Sequence, residues 1–69
     1  MNNLSAIECD PRIQVGKPVI KGTKITVELI LRNIAGKHSF EEILNMYPSI
    51  MERDIIAALE YAIQTIKQK

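Results

Sequence analysis

The sequence predicts a mainly α-helical domain in which an N-terminal β-hairpin precedes a three-helix, helix-turn-helix unit. Its 69 residues are the length of one domain. Four of its six prolines and glycines fall before residue 23, where they exclude long helices, and apolar residues recur at helical spacing after residue 26. We therefore assign residues 1–69 to a single domain, with a strand-and-turn segment at 1–25 and the three-helix unit at 26–69.

Two short segments predict the hairpin. Residues 4–9 alternate roughly between apolar and polar side chains, and residues 17–21 hold a β-branched pair between turn formers. The dipeptide at 10–11 and Gly16 mark bends between the two segments. Because two isolated strands are barely stable in water, the hairpin must lie against its own helices or against a second copy of the chain.

Capping residues set the boundaries of the helices. Thr26 is a good N-cap for the first helix, and Gly36 ends it. Ser39 and Glu42 have the spacing of a capping box at the start of the second helix, which Pro48 stops after about two turns. A third, longer helix then runs to near the C-terminus.

The apolar pattern of the third helix predicts which side chains face the core. The inward face comprises Ile55, Ala58, Leu59, Ala62, Ile63 and Ile66. The outward face comprises Arg53, Ala57, Glu60, Tyr61 and Gln64. Together with the tight connection at 47–50, the second and third helices have the outline of a helix-turn-helix, which many small proteins share without touching DNA.

Charge is distributed unevenly along the chain. Residues 1–38 carry six Lys/Arg against three acids, a balance of +3, whereas residues 39–69 carry three against five, a balance of −2. A surface that attracts a polyanion therefore belongs to the first half. The candidate DNA-binding residues are Lys17, Lys21 and Lys24 around the hairpin turn, and Arg53 on the third helix. We expect the lysines to dominate any DNA binding. The alternative is that they serve only to discourage aggregation through the edge strand.

Composition excludes several classes of protein. One cysteine and one histidine exclude an internal disulfide and a Cys/His zinc site within one chain. We interpret Cys9 as a small buried hydrophobe. No nucleophile or acid/base pair is indicated, so we expect no enzymatic activity, cofactor or metal. The longest apolar run, at 55–59, is far short of the roughly 20 residues that span a bilayer, and no secretory signal is present, which favours a cytoplasmic protein.

A chain this small without a disulfide or metal is expected to gain stability from a partner subunit, as a homodimer or larger. Leu29 faces away from the apolar stripe of the first helix, and Tyr61 offers an amphipathic anchor on the third. The candidate partner-binding residues are Val19 and Ile20 of the hairpin, Leu29, and Glu60, Tyr61 and Gln64.

Several segments together carry a family resemblance. They are 10–11 (DP), 16–27 (GKPVIKGTKITV), 30–31 (IL), 35–36 (AG), 41–44 (EEIL), 47–48 (YP), 54–55 (DI) and 57–62 (AALEYA). Over about residues 7 to 63 the chain closely resembles the bacterial domain-of-unknown-function family numbered 433. The resemblance implies a homeodomain-like three-helix unit behind a β-hairpin, and a role as the antitoxin of a toxin–antitoxin system, often beside a PIN-like nuclease toxin.

Two positions depart from the family pattern. The family usually has arginine where this chain has Lys24, and lysine cannot make the planar, two-pronged contact that arginine makes to guanine or phosphate. The family tends to have a capping threonine where Met51 stands. Here residues 49–52 offer a capping box that begins two residues earlier, so we expect the third helix to begin sooner.

Two hypotheses follow. The leading one is a cytoplasmic, non-enzymatic, antitoxin-like protein that dimerises, binds a PIN-like nuclease toxin and binds its own operator DNA. The alternative is a protein-interaction module that uses the helix-turn-helix only as a dimer scaffold, without DNA binding. The basic hairpin favours the first, and the acidic third helix favours the second. Because only three residues follow Ile66, we expect any toxin to contact the folded body, at the outward face of the third helix.

Overall fold

A computed structural model describes residues 4–67, so positions 1–3 and 68–69 of the assigned domain lie outside the described residues. Strand β1 (Ile7–Glu8) pairs antiparallel with β2 (Val19–Ile20), and the helices are α1 (Val27–Ala35), α2 (Phe40–Met46) and α3 (Glu52–Lys67). Ile7 lies opposite Ile20 in the ladder. This arrangement confirms a mainly helical fold with an N-terminal hairpin before three helices. None of the described helices is long and apolar enough to cross a membrane.

The hairpin is shorter than the sequence pattern predicts. Leu4–Ala6 forms a single 3-10 turn that lies against α3. The strand pair ends beside this turn, where the Lys21 N–H donates to the Ala6 carbonyl at 2.7 Å. After β2 the chain turns back, and the Val27 N–H donates to the Pro18 carbonyl at 2.9 Å. Backbone hydrogen bonds thus join both ends of β2 to neighbouring segments.

Gly22 makes the turn after β2 possible. Its φ of 82° is the left-handed value that the third residue of a type II turn requires, and the Thr23 N–H closes the turn on the Ile20 carbonyl at 2.9 Å. The Thr23 hydroxyl also donates to that carbonyl at 2.7 Å. The turn leaves the side chain of Lys21 exposed at the end of the hairpin.

The connection between the strands contains a left-handed turn. Gln14, Val15 and Gly16 have φ values of 51°, 56° and 82°, and the Gly16 N–H donates to the Ile13 carbonyl at 3.0 Å. For a β-branched residue such as Val15 this conformation is unfavourable. Its side chain is 93% exposed, so packing offsets none of that strain.

Local capping fixes the first two helices where the sequence predicts. The Thr26 hydroxyl accepts from the Leu29 N–H at 3.0 Å at the start of α1. At the start of α2, the Ser39 hydroxyl accepts from the Glu42 N–H at 3.1 Å, and the Glu42 carboxylate accepts from the Ser39 N–H at 2.8 Å. Both halves of the capping box are therefore present.

The prediction that the third helix begins early is wrong. The Ile50 N–H donates to the Tyr47 carbonyl at 3.1 Å, which places Ser49 in a turn rather than at a cap. Helix α3 begins at Glu52, and the Met51 N–H donates to the Asp54 carboxylate at 2.8 Å. Asp54, at 9% exposure, therefore caps α3 from inside its own first turn.

A single core joins the hairpin to the helices. It comprises Ile20, Val27, Ile30, Ile43, Ile50, Ile55 and Ala58. The hairpin therefore lies against its own helices.

The predicted faces of α3 need correction. Ala57, assigned outward, is fully buried, and Tyr61 packs against the edge of the core, whereas Ile63 and Ile66, assigned inward, are 53% and 70% exposed. Two causes combine. The N-terminal turn and β1 cover a side of α3 that the helix period alone does not reveal. In addition, α3 has 16 residues and α1 only nine, so the last turns of α3 extend beyond the core.

Candidate nucleic-acid interface

Lys21 and Arg53 lie on the walls of one open pocket of about 470 Å³. The residues around it are Ser5, Ala6, Lys21, Gly22, Ser49, Met51, Arg53 and Asp54. Lys21 comes from the turn after β2, where its N–H is bound to the Ala6 carbonyl. Arg53 is the second residue of α3. The fold thus brings together two cations that are 32 positions apart in the sequence.

The charges of this pocket favour an anion. Lys21 and Arg53 are exposed, and within residues 4–67 neither takes part in an ion pair. Asp54 contributes one negative charge, so the charged side chains around the pocket carry a net charge of +1. The N-terminal end of α3 adds the positive end of the helix dipole. This arrangement can attract phosphate oxygens.

The other two candidate lysines lie outside the pocket. The Lys17 ammonium is 3.6 Å from Glu28 Oε1, and the Arg32 guanidinium donates to Glu28 Oε2 at 2.9 Å. These two cations, Arg32 first, lower the pKa of the Glu28 carboxyl. Lys24 is exposed, and its carbonyl accepts from the Gln14 side chain at 3.4 Å. The structure therefore groups Arg53 with Lys21, although the sequence favoured the three lysines.

The candidate partner residues divide by burial. Val19 and Ile20 are 0% and 2% exposed, so they belong to the core and offer a partner no surface, which corrects their assignment. Leu29 and Gln64 are exposed. Glu60 is half-buried.

Tyr61 and Cys9 lie side by side at the edge of the core. Burial of Tyr61 raises the pKa of its hydroxyl, and the neighbouring Cys9 thiol adds to the shift. Tyr61 therefore presents only part of its ring to solvent. Cys9 is exposed, so its interpretation as a buried hydrophobe is wrong. The residue follows the end of β1, beyond the strand pair that the core covers.

An apolar groove of about 630 Å³ lies between α1 and the second half of α3. Around it are Lys17, Pro18, Thr26, Val27, Glu28, Leu31, Arg32, Ala35, Tyr61, Ala62, Thr65 and Ile66. The sequence pattern assigned Ala62 and Ile66 to the interior. The periodicity identified their apolar faces, but it carried no signal that a groove lies between α1 and α3.

Similarity to known proteins was found at the level of a family. The model of the family described as "Protein of unknown function (DUF433)" matches residues 7–62. Neither the curated proteins nor the solved structures include a match to the chain. Within residues 4–67, no group of three or more His, Cys, Asp or Glu residues is placed to hold a metal ion.

Proposed function

We propose that this protein, which belongs to the DUF433 family of proteins of unknown function, is a cytoplasmic, antitoxin-like protein. In this proposal the protein is a dimer, binds a PIN-like nuclease toxin and binds its own operator DNA. The observation that carries the proposal is the shared pocket of Lys21 and Arg53.

The pocket suits the phosphate backbone of DNA. Phosphate contacts by lysine and arginine release condensed counterions, and they supply most of the affinity that does not depend on sequence. Lys21 and Arg53 approach such a backbone from two elements, so each can contact its own phosphate. The first turn of α3 would then lie against the sugar–phosphate chain.

The sequence of α3 supports backbone binding more than base reading. Its first turn holds the acids Glu52 and Asp54, which repel phosphate and leave Arg53 as the cation there. Within the described residues, its last turns expose Ile63 and Ile66, and Gln64 is the one exposed side chain there of the Arg, Asn and Gln types that pair with base edges. We therefore expect modest sequence specificity from a single copy.

Titration with DNA tests this proposal. The probe is a fluorescent duplex from the region upstream of the protein's own gene, and binding is measured by anisotropy between about 50 and 200 mM salt. For two phosphate contacts, the affinity should fall by about one order of magnitude over this range. The variant Lys21→Ala with Arg53→Ala removes both cations of the pocket. We expect at least about ten-fold weaker binding and a salt slope lower by about two, one unit for each lost phosphate contact.

A matched control removes two cations elsewhere. Arg12→Ala with Lys37→Asn changes the net charge equally at exposed positions outside the pocket, and asparagine tolerates the left-handed φ of 71° at residue 37. We expect this control to bind nearly as the wild type does. Equal weakening by the two variants would reduce the interaction to overall charge, and absence of wild-type binding would remove DNA from the proposal.

The apolar groove favours a second candidate function. A protein-interaction module that binds no DNA would use such a surface, because exposed apolar patches mark sites of association. Co-expression with the product of the neighbouring gene tests the partner directly. Capture of that product by a variant that no longer binds DNA would separate the two activities, and no capture would remove the toxin from the proposal.

A further inference from the structure

We infer that a second copy of this chain occupies the groove between α1 and α3, in a two-fold symmetric pair in which the exposed ridge of each α3 enters the groove of the other. The inference rests on the dimer in the proposed function and does not depend on DNA binding. It gives to the second copy Glu60 and Tyr61, which the sequence had offered to a toxin. It assigns that dimer a face and names the residues that form it.

The groove has two apolar walls. Val27, Leu31 and Ala35 follow one another at four-residue spacing along α1 and form the first wall. Tyr61 and Ala62 belong to the second wall, on α3. The charged residues at its edge, Lys17, Glu28 and Arg32, are largely paired with one another. A neutral, apolar ridge is therefore the kind of occupant that this groove fits.

Helix α3 carries such a ridge beside the groove. Ile56, Leu59, Ile63 and Ile66 follow the 3-4-3 spacing of a coiled-coil seam. Ile56 and Leu59 are half-buried, and exposure then increases to 53% at Ile63 and 70% at Ile66. The seam thus runs from the body of the protein onto the turns of α3 that extend beyond the core.

The position of Ile66 makes this surface self-complementary. Its side chain borders the groove and also ends the ridge, so groove and ridge are adjacent on one face. A two-fold interface requires such adjacency, because the same patch on each copy must supply both a ridge and a groove to the other. With the two α3 helices antiparallel, the ridge of one copy lies over the groove of the other.

Charge permits two identical surfaces to meet here. No charged residue occurs from Tyr61 to Ile66, so the centre of the contact brings no like charges together. Glu60 and Lys67 are seven residues apart and lie on one side of the ridge. Antiparallel pairing directs Glu60 of each copy toward Lys67 of the other, as flanking charges do in helical pairs.

Sedimentation velocity of the full chain tests the inference. At about 100 μM, within the range of weak homodimers, the wild type should sediment with twice the 7.8 kDa of one chain. Ile63→Lys with Ile66→Lys puts two charges on the ridge, and we expect the dimer dissociation constant to rise at least ten-fold. Ala35→Lys puts a charge in the opposite wall and should weaken the dimer as well.

Met46→Lys is the matched control, because Met46 is an exposed apolar residue at the end of α2 that does not line the groove. This variant should remain as dimeric as the wild type, and circular dichroism should show a helical fold in all variants. A dimer unchanged by the ridge and groove variants would overturn the assigned face and leave the dimer itself standing. A wild-type monomer would overturn both.

Discussion

Replacement of Asp54 by alanine should destabilise the protein through one hydrogen bond. The Asp54 carboxylate accepts from the Met51 N–H at 2.8 Å, and Asp54 is 9% exposed. In a complete capping box a side chain at the position of Met51 would cap the helix as well, but methionine has no such acceptor. Asp54 therefore caps this end of α3 alone, and the Asp54→Ala variant leaves a backbone N–H without its partner.

The expected magnitude follows from that lost bond. Loss of a helix cap costs about 0.5–2 kcal/mol, and the free energy of unfolding should fall by about that amount. In a domain of this size about 1 kcal/mol corresponds to roughly 4–8 °C in Tm. Thermal unfolding by circular dichroism measures this change, at one fixed protein concentration because dimerisation would otherwise shift the Tm.

Two further variants separate the hydrogen bond from charge. Glu52→Ala removes an exposed acid from the same turn, and only the interaction with the helix dipole, about 0.3–1 kcal/mol, should be lost. Asp54→Asn keeps an acceptor oxygen but removes the negative charge beside Lys21 and Arg53, so it should be more stable than Asp54→Ala and should bind DNA more tightly than the wild type. Equal destabilisation by Asp54→Ala and Glu52→Ala would refute the capping argument.

Three more outcomes are expected. Val15→Asn should raise the Tm, because asparagine relieves about 1 kcal/mol of left-handed strain at an exposed site; an unchanged Tm would show that the turn is not strained. Ile30→Ala empties a fully buried site and should cost about 2–5 kcal/mol, so urea titration should show little folded protein; a wild-type urea midpoint would contradict a single tight core. Hydrogen bonding from the Ser39 N–H lowers the pKa of Glu42 below its ordinary value of 4.5, so its contribution is complete above that value and is lost as the pH falls through the lowered pKa. Glu42→Gln should weaken the dependence of the free energy of unfolding on pH in acid. An unchanged pH profile would show that Glu42 does not cause that dependence.

The sequence by itself determined the elements that depend on near neighbours. Thr26 caps α1 through Leu29, and Ser39 caps α2 through Glu42, so each bond spans three residues and can be read from a short segment. The hairpin was predictable for the same reason, because its β-branched pair lies between turn formers that are close in sequence. The end of α1 at Gly36 also follows from one residue.

The tertiary structure decided what distant segments do to one another. Lys21 and Arg53 line one pocket because the N-terminal turn, the hairpin and the start of α3 pack together. A charge count along the chain contains no such information. The exposure of Ile63 and Ile66 follows from the unequal lengths of α3 and α1, since a helix that extends beyond its neighbour leaves its apolar stripe uncovered. Periodicity identifies the apolar side of a helix, but only the arrangement of the other elements determines how far along its length that side is buried.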